Sequence, residues 1–132
     1  MLKLNHLSGF GGGVSGGAAG ATYGYSSGGT SGARVTTCDR LTFSTSVNAA
    51  HTDGDLNAAV AGCMGHSDNS AYGYISGGNT GAQDKLTDRM TLSTSVSAAH
   101  TDSDMTANKK EGYGFADFTG GGTYGYMVGG ES

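Results

Sequence analysis

The chain has 132 residues, of which 26 are Gly, 15 Ser and 15 Thr, while Leu, Ile, Val and Phe together number only 18. Seven Lys and Arg stand against eleven Asp and Glu, a net charge of −4, and the scattered basic residues offer no stripe to neutralise phosphates in register, so nucleic acid is not expected as a partner. Pro and Trp are absent, which excludes collagen and Pro-rich linkers, and no window approaches the ~18 apolar residues of a membrane-spanning helix.

So few large apolar residues warn of disorder, but that warning presupposes a high net charge. With only 14% charged residues, a Gly-rich β architecture or a structural polymer stays open. Residues 1–21 read as a Gly-rich arm. Its start, Met1 to Leu7, has a short apolar alternation without the apolar core or cleavage pattern of a secretory signal, so synthesis in a cytoplasm is expected.

From Tyr23 onward the chain repeats. A shift of 49 aligns residues 23–68 with 72–117 without a gap, and about half of the positions match. Tyr23-Gly24-Tyr25 followed by Gly28-Gly29 returns as Tyr72-Gly73-Tyr74 with Gly77-Gly78, and again as Tyr124-Gly125-Tyr126 with Gly129-Gly130. Tyr-Gly-Tyr places two rings on one strand face and bare Gly on the other, where a second sheet can approach. The Gly pairs are expected to end these strands, because tight turns need positive φ. Asp39-Arg40-Leu41-Thr42-Phe43 and Asp88-Arg89-Met90-Thr91-Leu92 alternate as second strands, and each Asp-Arg reads as strand-end solvation. Third strands are expected at 47–50 and 96–99, and fourth strands around 62–65 and 112–115. Ala58 to Ala61 could form a helical turn, limited by Gly62. The units fall at about 22–69, 70–118 and, in part, 119–132. A period near 50 points to propeller blades.

Between these strands, His51-Thr52-Asp53-Gly54-Asp55 returns as His100-Thr101-Asp102-Ser103-Asp104. The carboxylates of Asp53, Asp55, Asp102 and Asp104 could present oxygens to Ca²⁺, with His51 and His100 adding nitrogen for a transition metal. The same residue types also make turns, since Asp side chains bond nearby backbone amides. His66 is replaced by Phe115 one period later and is expected to be a packed or semi-exposed side chain. Cys38 and Cys63 lack a metal spacing and read as two separate thiols. Ser and Thr are too numerous for any one to signal a nucleophile, and no Lys-Ser or Lys-Thr follows the Gly runs, so neither a nucleophilic enzyme nor a phosphate loop is expected. Tyr23, Tyr25, Tyr72, Tyr74, Tyr124 and Tyr126 are expected to pack between repeats or subunits; alternatively they form a carbohydrate- or partner-binding strip.

A strand ending in Gly-Gly, a polar turn and a Thr-rich strand together resemble kelch repeats. The likeness is closer to the Gly- and Thr-rich kelch-like repeats of bacteriophage and cyanophage structural proteins, on Tyr72 to Gly78, Asp84-Lys85-Leu86-Thr87 or Asp88 to Thr94, and Ala98-Ala99, and it spans about residues 22–130. Leu7 to Gly13 also resembles the Gly-rich leaders of small virion proteins. The resemblance implies an all-β fold of kelch-like propeller blades, two complete and one partial. A closed propeller generally takes four to eight blades, so the expected fold is open and completed by homo-oligomerisation. The function it implies is a non-enzymatic structural subunit of a phage virion, as capsid decoration, fibre or tail-associated protein, without cofactor. The expected partners are the chain itself and other virion proteins, with no membrane. The alternative is an adhesin module that binds host-surface glycan through loops near 26–33 and 76–82. Kelch blades also occur in copper-radical oxidases, but their Cys–Tyr cofactor and paired His ligands have no counterpart here.

Overall fold

A computed structural model describes residues 13–14, 22–68, 71–117 and 124–132. Strands are β1 Gly13–Val14, β2 Tyr23–Ser27, β3 Cys38–Thr42, β4 Val47–Ala50, β5 Met64–Ser67, β6 Tyr72–Asn79, β7 Gln83–Thr91, β8 Val96–Ala99, β9 Lys110–Ala116 and β10 Gly125–Glu131. Single 3-10 turns at Thr52–Gly54 and Thr101–Ser103 are the helical elements among the described residues. The strands form three antiparallel sheets, β1-β2-β3-β4, β5-β6-β7-β8 and β9-β10, each an open meander. The expected all-β class is therefore what the chain adopts.

Each sheet begins one strand before the corresponding sequence unit. Met64–Ser67 lies at the end of the unit 22–69, yet it pairs with β6 and opens the second sheet. β9 likewise opens the third by pairing with β10. Of the arm expected over 1–21, Gly13–Val14 joins the first sheet beside β2, and the rest lies outside the described residues. Residues 58–61 form no helical turn; Val60 and Ala61 instead make isolated bridges to Val35 and Asn79.

Register divides each sheet into two unlike faces. In the first, Tyr23↔Thr42, Tyr25↔Arg40 and Ser27↔Cys38 share one face, and Gly24↔Leu41 and Ser26↔Asp39 the other. In the second, Tyr72↔Thr91, Tyr74↔Arg89 and Ser76↔Thr87 alternate with Gly73↔Met90 and Ile75↔Asp88. The core lies where unlike faces meet. Tyr25 and Cys38 of the first sheet pack on Met90 of the second, with Tyr23 and Leu92 at the margin. Beside them Leu56, Val60 and Cys63, on the segment returning from the first sheet, pack on Ile75. The third hairpin covers part of the tyrosine face of the second sheet through glycine. A side chain at Gly114 would strike the backbone of Gly65, and one at Gly125 the ring of His66. Bare backbone at these points lets β9 and β10 lie directly against β5.

The Gly pairs all have positive φ, but only Gly28-Gly29 follows a strand end as expected. β2 stops before Gly28, whereas β6 continues through Gly77-Gly78 with a register shift between Ser76 and Gly78, and β10 runs through Gly129-Gly130. In β6 the pair is a bulge, an irregularity that bends a strand without ending it.

Candidate functional site

The two His-x-Asp-x-Asp segments form equivalent 3-10 turns with nearly the same flanking φ and ψ. Asp55 Oδ1 accepts from the Cys38 backbone N–H at 2.8 Å, and Asp104 Oδ1 from that of Thr87 at 2.8 Å. Each carboxylate thus ties the 3-10 turn to the start of β3 or to the matching position of β7. Asp53 and Asp102 are exposed. Among the described residues, no group of three or more His, Cys, Asp or Glu gathers to hold a metal ion.

The two histidines bond differently. His51 Nε2 lies 3.0 Å from the Ser95 carbonyl oxygen, which requires the proton on Nε2. His100 Nε2 lies 2.7 Å from Arg89 Nη1, so there it must accept, while Nδ1 faces Ser103 Oγ at 2.9 Å. The first histidine therefore links two sheets, and the second stays within its own.

The tyrosines pass from buried to exposed along the chain. Tyr25 is buried and its hydroxyl lies 2.6 Å from Ser95 Oγ in the second sheet. Tyr74, at the equivalent place, is half-buried and stacks on His66 with ring centroids 5.1 Å apart. In the third hairpin the same geometry returns as Phe115 on Tyr126 at 5.2 Å. That face is open: Tyr113, Phe115, Tyr124, Tyr126 and Val128 are 44–66% exposed. At the opposite end of the stack, Phe43 is 48% exposed and Leu41 is half-buried.

Sequence reasoning missed two features. Arg40 and Arg89 lie over the rings of Tyr23 and Tyr72, 4.4 and 4.3 Å from the centroids, rather than serving as strand-end solvation beside Asp. The repeated coincidence of Arg with Tyr was the available signal, but it needs the β2/β3 and β6/β7 register to be read. Ser46 and Ser95 adopt left-handed φ of 56° and 58°, at turns that carry no Gly to announce them.

His66 is half-buried with Nδ1 enclosed and without a hydrogen-bond partner among the described residues, and burial lowers its pKa below the ordinary imidazole value. Burial raises the Cys38 thiol and pushes that of Cys63 up to about 11, so both are held protonated and unreactive at neutral pH. A shallow groove lined by Leu56, Val60, Ile75, Leu86, Asp88 and Asp104 runs between the return segment and the second sheet. Asn57 closes one side, donating from its backbone and side-chain nitrogens to Asp88 at 2.8 Å each.

The chain matches no protein-family model, and a search of the curated proteins finds no match. Fold and geometry define its class as an all-β protein of open, repeated antiparallel sheets.

Proposed function

We propose that this chain is a non-enzymatic structural subunit of a larger assembly, a phage virion protein serving as decoration, fibre or tail-associated component. The observation that carries the reading is the exposed aromatic face of the third hairpin, joined to sheets whose outer strands β4, β8 and β10 each have one unpaired edge among the described residues. Exposed apolar faces and open edges both favour association with further protein. The virion setting and the kelch-like kinship come from the resemblance of the repeat.

Sedimentation and negative-stain microscopy of the purified chain test the reading. A defined oligomer or filament is expected, and a chain that remains monomeric at the highest attainable concentration overturns it. A second reading, the host-glycan adhesin, draws on the exposure of residues 30–34 and 80–82 at equivalent places in two sheets. It predicts polysaccharide affinity that falls when these loops are changed while assembly persists.

A further inference from the structure

The seam between the first two sheets joins a tyrosine face to an aliphatic one, and the two outer faces of the stack carry those same halves. Inside the chain, Tyr23 and Tyr25 pack with Met90 and Leu92. Forty-nine residues before Met90 and Leu92 stand Leu41 and Phe43, on the outer face of the first sheet. Tyr124 and Tyr126 hold the positions of Tyr72 and Tyr74 on the outer face of the third hairpin, exposed beside Phe115. We propose that a second copy of this chain docks head to tail on the first, with Tyr124 and Tyr126 of one copy seated on Leu41 and Phe43 of the next. The inference rests on the assembly reading above but assigns cohesion to sheet faces rather than to strand edges.

The polar part of the seam is also prepared. Ser95 receives the Tyr25 hydroxyl from a turn residue with φ 58°. Its counterpart Ser46 keeps the same backbone, φ 56°, and is exposed next to Phe43 on the outer turn. A left-handed serine is costly, and this one is placed to meet the Tyr126 hydroxyl of another copy as Ser95 meets Tyr25. The Leu41 face also carries exposed Asp39 one pair further along β3, so the contact is centred on Leu41 and Phe43, where docking buries aromatic and aliphatic surface. Because two different faces meet, the contact is heterologous and propagates into a ring or a filament according to the rotation between copies.

The test uses full-length chains with Phe43→Glu and Tyr126→Glu, each at an exposed position, and with Tyr124→Glu as a second lesion on the tyrosine face. Circular dichroism and melting check that each variant folds. Each single variant is expected to weaken self-association about tenfold or more and to sediment near the monomer mass of 13.1 kDa. A mixture of Phe43→Glu with Tyr126→Glu is expected to form a dimer and stop there, since only one intact face of each kind remains. Wild-type assembly that persists unchanged in both variants overturns face docking while leaving the assembly reading intact. A wild-type chain that never associates overturns both.

Discussion

The hydroxyl of Tyr25 lies 2.6 Å from Ser95 Oγ, a buried bond between residues 70 apart that fastens the first sheet to the second. Ser95 lies in the turn between β7 and β8, where its positive φ aims the side chain across the seam. The backbone conformation is strained for an L residue, and the tertiary bond is its counterpart.

Ser46 and Ser95 share a backbone and differ in that bond, so they respond oppositely to glycine. Ser46→Gly relieves the left-handed strain and is expected to raise stability by up to about 1 kcal/mol, measured by urea unfolding in the Tyr126→Glu background to hold the chain monomeric. Ser95→Gly gives the same relief but leaves the Tyr25 hydroxyl buried without its partner, at a cost of about 1–3 kcal/mol. A net gain at both positions contradicts a structural role for the bond.

Asp55→Ala and Asp104→Ala each remove the acceptor for a backbone N–H, of Cys38 and of Thr87. Each is expected to cost about 1–3 kcal/mol. The loss should be equal in chelator and in added Ca²⁺, followed by thermal melting. A drop that appears only with Ca²⁺ present assigns the carboxylates to a cation instead.

Stability is expected to fall as pH drops below the ordinary imidazole value of 6.5, because burial lowers the pKa of His66 in the folded state. The unfolded chain then binds a proton that the folded chain resists, so the contribution is complete above 6.5 and is lost as pH falls from there toward the lowered value. His66→Phe copies Phe115, which already stacks on Tyr126. It should flatten this part of the pH profile and raise stability at pH 5. An unchanged profile in the variant places the titration elsewhere.

Gly114→Ala drives a methyl group into the Gly65 backbone. Since backbone cannot yield as a flexible side chain does, the third hairpin should detach from the second sheet at a cost of roughly 1–3 kcal/mol. Limited proteolysis reads this directly, as cleavage between residues 110 and 131 while the first two sheets remain protected. Equal resistance of variant and wild type removes the close approach from the docking of β9.

Much of the strand content was legible because Tyr-Gly-Tyr, Leu41-Thr42-Phe43 and Met90-Thr91-Leu92 alternate in step with a strand's two faces. Val47–Ala50 and Val96–Ala99 fall at the positions expected. The sheet boundaries were hidden. A repeat has no preferred starting point, and only hydrogen bonding between β5 and β6 shows that Met64–Ser67 opens a sheet rather than closing one. The same holds for Gly77-Gly78, where local φ preference suits an end or a bulge equally and the pairing with β7 selects the bulge.

At the candidate site, the histidine and aspartate turns were visible as a motif with two uses, and the geometry shows the carboxylates on backbone amides. The equivalence of Tyr23, Tyr72 and Tyr124 was plain at a spacing of about 50, but their surroundings were not. Periodicity reports which residues are alike and is silent on what lies opposite them. By itself the sequence determined the β class, the repeat and the alternation of unlike faces, since these follow from side-chain size and backbone freedom along the chain. The tertiary structure decided which Tyr is buried, which His carries its proton on which nitrogen, and where the outer faces stand open. Those outcomes depend on which strands and sheets come together, as where Ser95 meets Tyr25 from 70 residues away and His51 from 44, which local chemistry does not encode.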